Sequence, residues 1–417
     1  MSKEWSLNRG EWAEGYVFLK VLEDGKIYAG TYAGAKELTK IDENRYIDVL
    51  NVKKYINKSV LLFQRETDTE GTVIIRLIRD DNDTGEFRSV NDFKKYAETL
   101  SDILKETKKG NVTAPEIQKF FEDIGVITIK SPAVNMDVNE KYGGKTDIVL
   151  RVRCSVDKME EDLGFSIKSH FGSNATLMNS GQGSTYMYKI ENCNDQDMCR
   201  YNACKTVEDM LKAIKKDEKK ITPLGSKIIT VDGEEIAVFD ENLEHINTSL
   251  PAVISYMLLM IHGYHKNPQS KNLTDVVKAI QEENPLKLKN RYNPYETMFK
   301  NLLFAAFGGM TASLPWDGRI KVNGGFLDVS ESGEILYFRA LSDDQFLSYL
   351  FDSTKIDSPS RGERWKEIHK DAVSNVNTKN IFNIKTDHGD YGYVYDYEYQ
   401  GETVKAFGIN FQIRFNS

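Results

Sequence analysis

Cysteine and long apolar runs are scarce in this sequence, and each absence excludes a class of protein. Four cysteines in 417 residues argue against a disulfide framework and suit a reducing compartment. The longest apolar-rich run, residues 252–261, is too short to span a bilayer. The first residues also lack the apolar stretch of a secretory signal. We therefore expect a cytoplasmic protein with no membrane partner.

Motifs for common metal and phosphate sites are missing as well. No glycine pair is followed by Lys-Ser or Lys-Thr at the spacing of a phosphate-binding loop. Cys193, Cys199 and Cys204 cluster without the knuckle spacing of a structural zinc site, so free thiols are favoured and zinc stays an alternative. His262 and His265 could form half of a metal site, but one packed and one exposed histidine is the commoner arrangement.

The net charge of −8 is a mild argument against a nucleic-acid partner, because phosphate binding needs a local excess of Lys and Arg. It does not exclude one, since a metal-dependent nuclease carries acids in its cleft. Two basic runs, at residues 105–109 and 215–220, are interpreted as solvated helix ends.

Hydrophobic periodicity and turn residues predict an α/β fold with a mixed central sheet flanked by helices, a helical insertion and a β-rich C-terminal part. Predicted helices lie at residues 8–23, 90–107, 114–124, 206–216, 251–264, 274–283, 294–307 and 343–351. Predicted strands lie at residues 58–64, 72–79, 126–129, 326–329 and 335–338. Residues 176–190 are expected to cross back over the sheet. We expect three regions, at 1–205, 206–309 and 310–417.

The most informative pattern joins Asp147, at the start of one apolar strand, to Lys168, near the end of the next. Side chains two apart on a strand share a face, so Ser166 and Lys168 point one way while Phe165 and Ile167 point into the core. A hairpin between the strands would bring Asp147 and Lys168 together. A carboxylate and a lysine in this arrangement are typical of a metal-dependent phosphodiesterase, although surface residues near a hairpin would give the same pattern.

Phosphodiester hydrolysis needs a divalent cation, an oriented water and a positive group. Mg²⁺ prefers oxygen ligands, which Asp147 and the backbone carbonyl of Ile167, exposed at a strand edge, could supply. Ser166 stands where such sites often carry an acid. The missing carboxylate is expected from Glu14, with Glu11 behind it on the opening helix, although both could be solvated acids of a first turn.

The chain resembles the HpaII-type restriction endonucleases, within the PD-(D/E)xK nuclease superfamily. The more specific elements are the Gly-Glu-Trp and Phe-Ser-Ile-Lys-Ser sequences. The segments that carry the resemblance are Gly10–Lys20, Gly25–Ala29, Thr146–Ile148, Gly164–Ser169, Thr176–Asn179, Gly324–Leu327, Tyr349–Phe351, Thr354–Lys355 and Gln412–Phe415.

The resemblance implies a PD-(D/E)xK core and a type II restriction endonuclease that cleaves double-stranded DNA with Mg²⁺, at CCGG or a related site. It implies that Asp147 and Lys168 are catalytic, that Ser166 occupies the usual acid position, and that Glu14, with Glu11, replaces that acid. Water would attack directly. A homodimer on a palindromic site and a cognate cytosine methyltransferase are the expected partners.

Other polar residues would recognise the base sequence of the DNA, because Arg or Lys binds guanine and Asn or Gln binds adenine. The first candidates for DNA binding are Ser169, His170, Asn174, Thr176, Asn179 and Gln182. A second candidate patch comprises Arg319, Lys321, Ser358, Ser360 and Arg361. A polar surface loop would explain either group without function.

Two other functions stay open. One is a repair or methylation-dependent nuclease of the same fold, and the other is a catalytically inactive DNA-binding protein. The intact Asp147 and Lys168 pair argues against the inactive protein.

Overall fold

A computed structural model describes most of the chain. The described residues are 4–32, 38–40, 44–56, 59–107, 110–129, 138, 141–142, 146–171, 176–204, 206–289, 292–319, 323–338, 344–358, 385–386, 389–390 and 394–415.

Helices and strands both contribute extensively to the described part. The helices are α1 (Arg9–Asp24), α2 (Val90–Glu106), α3 (Pro115–Asp123), α4 (Asp195–Asn202), α5 (Val207–Lys216), α6 (Val238–Ile246), α7 (Leu250–Ile261), α8 (Leu273–Glu283), α9 (Pro294–Phe307) and α10 (Asp344–Ser353). The first strands are β1 (Lys26–Tyr32), β2 (Leu38–Lys40), β3 (Tyr46–Ile56), β4 (Ser59–Thr67), β5 (Val73–Arg79), β6 (Asn82–Ser89), β7 (Ile148–Cys154), β8 (Glu160–Ser169), β9 (Thr176–Met178) and β10 (Thr185–Ile190). The later strands are β11 (Ile221–Ser226), β12 (Ile229–Val231), β13 (Glu234–Ile236), β14 (Gly325–Val329), β15 (Ile335–Phe338), β16 (Thr354–Asp357), β17 (Lys385–Thr386), β18 (Gly389–Asp390), β19 (Tyr395–Tyr399), β20 (Glu402–Asn410) and β21 (Gln412–Phe415).

The chain divides into two compact units. The first contains residues 1–175 and 320–349, and the second contains residues 176–319 and 350–416. This grouping differs from the three predicted regions, because residues 176–205 lie with the helical part and residues 320–349 return to the N-terminal part.

The first unit is built on a ten-stranded mixed sheet with the order β2-β1-β15-β14-β8-β7-β3-β4-β5-β6. β14 runs parallel to β8 and β1 runs parallel to β15, while β7 is antiparallel to both β3 and β8. The sheet is therefore the mixed central sheet of the predicted α/β class.

Helix α1 covers one face of this sheet. Its start is fixed by a capping box, in which Asn8 Oδ1 accepts from Glu11 N and Glu11 Oε2 accepts from Asn8 N. Gly25, with φ of 65°, ends the helix in the left-handed conformation that glycine tolerates. Phe18 is fully buried and meets Phe63 of β4 edge to face at 4.9 Å. Because both ends and the apolar face are specified, α1 is held firmly against the sheet.

The second unit contains a four-stranded sheet, β11-β10-β20-β19, and a three-stranded sheet, β16-β21-β9. Helix α7 is apolar along its length, and Val253, Ile254, Met257 and Leu258 are fully buried. None of the helices in the described part of the chain combines the length and apolar character that a bilayer crossing requires.

Most predicted elements are confirmed, and three features differ. Residues 126–129 form no strand, and Val126 and Ile129 fill the core without joining a ladder. Residues 176–190 form β9 and β10, which pair within the two smaller sheets rather than with the ten-stranded sheet. Several elements are additional to the prediction, among them strands β1, β3, β6 and β11 and helices α4 and α6.

Candidate active site

The predicted hairpin is present. β7 and β8 pair antiparallel, with Ile148 opposite Phe165. One step before the strand begins, Asp147 N donates to Phe165 O at 2.8 Å. This hydrogen bond ties Asp147 to β8 and places its side chain beside the residues that follow Phe165.

The carboxylate of Asp147 is held by two donors from β8. Its Oδ2 accepts from Ile167 N at 2.7 Å and from Ser166 Oγ at 3.1 Å. Ser166 is 3% exposed, so its hydroxyl is committed to this contact. Ser166 therefore orients the Asp147 carboxylate.

Glu14 approaches the same place from α1. Burial raises the pKa of Glu14 to about 8, and the charge of Asp147 adds to the rise, while Lys54 opposes it. Among the described residues, no group donates a hydrogen bond to the buried Oε2 of Glu14. Glu14 therefore stands as a buried acid beside a second carboxylate, with an oxygen atom available to a ligand.

Glu11 lies one turn earlier on α1 and uses its carboxylate in the capping box with Asn8. Its negative charge contributes to the raised pKa of Glu14. The structure thus gives Glu11 a helix-capping contact next to the site, and its predicted catalytic role stays a prediction.

Sequence reasoning missed Lys54 on β3, which is 4% exposed. Its Nζ lies 5.6 Å from the centre of the Phe18 ring. Burial lowers the pKa of Lys54, and the charges of Glu14 and Asp147 oppose that change. The signal was its position two residues after the buried Val52, which places a lysine on the apolar face of a strand.

Lys168 is half-buried on β8 and is in register with Asp328 of the neighbouring parallel strand β14. β8 lies between β14 and β7, so the expectation that a sheet edge exposes the Ile167 carbonyl is wrong. The Ile167 carbonyl is instead made accessible by the end of the neighbouring strand β7. Because Ile167 N faces Asp147, and a strand residue directs its N–H and C=O to the same side, the carbonyl points past the end of β7.

Gly164 of β8 lets the chain before Asp147 pack closely. A Cβ at position 164 would lie 2.6 Å from Thr146 Oγ1 and 2.7 Å from Tyr142 Cβ. We expect Gly164→Ala to lower the free energy of unfolding by about 1–3 kcal/mol through overpacking, and to reduce cleavage because Thr146 precedes Asp147. Urea unfolding and a cleavage assay measure both effects.

Gly181→Ala is the control for that substitution, since a Cβ there would meet Ser313 Oγ at 3.5 Å, an ordinary contact. Equal stability of the two variants would contradict the close-packing explanation.

Ser169 and His170 are the first predicted DNA-binding residues; Ser169 is the last residue of β8, and His170 follows it. Ser169 Oγ accepts from Phe171 N at 3.2 Å. His170 Nε2 lies 2.8 Å from Asp328 Oδ1. Both side chains make contacts within the first unit.

The remaining candidates of this group belong to the second unit or lie outside the described residues. Thr176 lies in β9, opposite Arg414 of β21. Asn179 and Gln182 are exposed between β9 and β10, where their amides suit adenine recognition. Asn174 and Arg361 lie outside the described residues.

In the second candidate patch, Arg319 is exposed and Ser358 is buried, with its Oγ 3.0 Å from His262 Nε2. Lys321 and Ser360 lie outside the described residues. His262 Nδ1 is 2.7 Å from Glu208 Oε1, so packing and hydrogen bonds explain this histidine.

The other metal alternatives find no support in the described residues. His265 stacks on Tyr256, with ring centres 4.1 Å apart. All four cysteines are free thiols. Within the described ranges, no group of three or more His, Cys, Asp or Glu side chains is arranged to hold a metal ion alone.

Mg²⁺ does not require such a cluster, because it is commonly bound by one or two carboxylates and several waters. Asp147 and Glu14 supply two carboxylates, and the orphaned Oε2 of Glu14 lacks the partner that a buried acid needs. These residues fit a hard divalent cation. With Lys168 beside them, the arrangement suits hydrolysis of a phosphate ester.

Comparison with known proteins identifies the family. A model of the HpaII restriction endonuclease family matches residues 8–383, which is most of the chain, so this protein belongs to that family. A curated relative, the type II restriction enzyme HpaII of Haemophilus parainfluenzae, is 28% identical over 363 residues, covering 86% of this chain and 92% of the relative. No solved structure matches significantly. The resemblance noted in the sequence is confirmed, and the chain is a type II restriction endonuclease.

Proposed function

We propose that this endonuclease cleaves DNA by Mg²⁺-dependent hydrolysis at a centre formed by Asp147, Glu14 and Lys168. The observation that carries the proposal is the buried Oε2 of Glu14, which has no hydrogen-bond partner among the described residues and belongs to a carboxyl group influenced by Asp147. A buried acid beside another acid is costly unless a cation joins them. The Ile167 carbonyl is the third proposed protein ligand.

Each side chain has a distinct role in this proposal. Asp147 and Glu14 would hold the cation, and Ser166 keeps the Asp147 carboxylate in one orientation through its hydrogen bond. Bound Mg²⁺ would neutralise phosphate charge and make a water more acidic. Lys168 orients the attacking water and stabilises the charge that develops on the phosphoryl oxygens. Because the Ser166 hydroxyl is committed to Asp147, direct attack by water is favoured over a covalent intermediate.

We also assign the first unit to the PD-(D/E)xK class, with Ser166 at the usual acid position and Glu14 replacing that acid. The β7–β8 hairpin packed beneath α1 supports this assignment. The family resemblance supports CCGG or a related sequence as the recognition site. Asn179, Gln182 and Arg319 are the exposed candidates for reading bases.

Cleavage of both strands at a palindrome favours a homodimer with two-fold symmetry. A cognate cytosine methyltransferase would protect the host DNA, and we place the enzyme in the cytoplasm with that DNA. The absence of a candidate membrane-spanning helix from the described residues is consistent with this location.

Plasmid digestion tests the proposed function. We expect discrete fragments with Mg²⁺, no cleavage when EDTA is in excess, and recovery when Mg²⁺ is restored. Plasmids that carry or lack CCGG, each with and without cytosine methylation, define the site. Cleavage that continues in excess EDTA would contradict the metal-dependent mechanism. Fragments unrelated to CCGG would instead overturn the proposed specificity alone.

A further inference from the structure

Asp328 of β14 is a carboxylate with no exposed surface. It is in register with Lys168 of β8, so the two side chains start from the same face of adjacent strands. Aspartate is almost never fully buried unless it is paired. The partners of Asp328 therefore bear directly on the strand that carries Lys168.

Two side chains engage the carboxylate of Asp328. Tyr349 Oη donates to Oδ2 at 2.7 Å, and His170 Nε2 lies 2.8 Å from Oδ1. Oδ2 therefore accepts a hydrogen bond and Oδ1 lies at ion-pair distance from the imidazole, so Asp328 is not counted among the proposed cation ligands.

His170 is also tied to β14 through the main chain, because its N donates to Val329 O at 2.9 Å. Two connections, one from the backbone and one from the side chain, therefore join β14 to the point two residues beyond Lys168. This is the end of β8, where strand pairing alone restrains the chain least.

A protonated His170 carries a charge opposite to that of Asp328. Burial lowers the pKa of His170, but the adjacent Asp328 carboxylate and the charge of Glu331 outweigh burial and raise the pKa above its ordinary value. Tyr349 is the neutral partner on α10, and Lys168 is the nearest cation on β8 itself. The imidazolium form of His170 therefore persists to higher pH than that of an ordinary histidine.

We propose that Asp328 is a positioning residue of the endonuclease, which holds His170 as its charged partner and thereby fixes the end of β8 from which Lys168 extends. The inference deepens the proposed function, because it rests on Lys168 acting in cleavage. When protonated, His170 also adds a positive charge two residues from Lys168, just beyond the strand that would face a DNA phosphate.

The pH dependence of His170→Gln tests this positioning role. A group whose pKa is raised on folding makes its full stabilising contribution below its unfolded pKa, which is near 6.5 for histidine. It loses that contribution as pH rises through the folded pKa. In single-turnover assays at saturating DNA, wild type should exceed His170→Gln by about tenfold or more at low pH. That ratio should fall toward one at high pH. His245→Gln, at an exposed position, is the control and should show no such trend.

A ratio that does not change with pH would overturn the proposal, because a purely structural histidine predicts a constant defect. Nuclear magnetic resonance of labelled histidine gives a test that needs no catalysis. Of the six histidines, His170 is assigned by its loss in His170→Gln. Its pKa should lie above 6.5 in wild type and fall in Asp328→Asn.

A His170 pKa that is not raised in wild type, or that does not change in Asp328→Asn, would also overturn the inference. Failure of the proposed function is distinguishable, because Lys168→Ala would then cleave normally while the resonance result for His170 stands. If Asp328→Asn fails to fold, Tyr349→Phe and His170→Gln keep the test decisive. Tyr349→Phe leaves the ion pair intact and should preserve the pH trend.

Discussion

Lys168→Ala is expected to lower the DNA cleavage rate by about 10²- to 10³-fold, the usual effect of removing a group that stabilises transition-state charge. Asp147→Asn should lose at least as much, because the neutral amide is a weaker Mg²⁺ ligand. DNA binding, measured with Ca²⁺ in place of Mg²⁺, should change far less, since most affinity comes from contacts with the phosphate backbone.

Lys189→Ala is the matched control for Lys168→Ala, because Lys189 is also a partly exposed strand lysine and pairs with Glu191 at 3.3 Å. It should cleave at close to the wild-type rate. Normal cleavage by either Lys168→Ala or Asp147→Asn would mean that the active site lies elsewhere. Equal losses in Lys168→Ala and Lys189→Ala would attribute the defect to folding instead.

Glu14→Gln is expected to abolish cleavage and at the same time to stabilise the metal-free protein. Burial and the charge of Asp147 raise the pKa of Glu14 from 4.5 to about 8, so ionised Glu14 opposes folding. Replacing it with a neutral isostere should increase the free energy of unfolding by roughly 3 kcal/mol at neutral pH. A variant that is more stable but inactive cannot owe its inactivity to a damaged fold.

The pH dependence of this stabilisation has a definite sign. Below pH 4.5 Glu14 is largely protonated in both states, and glutamine should give little benefit. The benefit should grow as pH rises above the unfolded pKa and level off near the folded pKa of about 8. Urea unfolding in EDTA across this range measures it, with the exposed Glu98→Gln on α2 as the control. A stabilisation that does not depend on pH would contradict the assigned environment of Glu14.

The hairpin was predictable because an apolar residue recurs at every second position of β7. Ile148, Leu150 and Val152 all enter the core beneath α1, as their spacing predicts, and Phe165 joins them. That alternation fixed the register that brings Asp147 to Ile167. The contact between Ser166 and Asp147 was not predictable, because a serine hydroxyl gives no signal of its partner in the sequence.

Strand β3 was missed because its pattern is irregular. Its register with β7 shifts between Val49 and Asn51, and Asn51 and Lys54 are both buried, so apolar and polar residues do not alternate. Missing this strand also meant missing Lys54, whose charge acts on Glu14. A local pattern cannot report which distant acid pairs with a buried lysine.

Residues 126–129 show the opposite error. Their apolar character correctly predicted burial of Val126 and Ile129, but burial does not require a ladder, and a short apolar run can fill a core as irregular chain. Asp328 carried a usable signal, since an acid within the apolar strand Phe326–Val329 must find a partner. Its partners, His170 and Tyr349, are brought to it by the fold.

The central claim is that Asp147 and Glu14 hold one divalent cation beside Lys168. Anomalous diffraction from crystals soaked in Mn²⁺, which accepts the same oxygen ligands as Mg²⁺, tests it most directly. We predict an anomalous peak within ligand distance of both carboxylates, and its loss in Glu14→Gln crystals soaked identically. A peak away from these two side chains, or one that is unchanged in Glu14→Gln, would contradict the account.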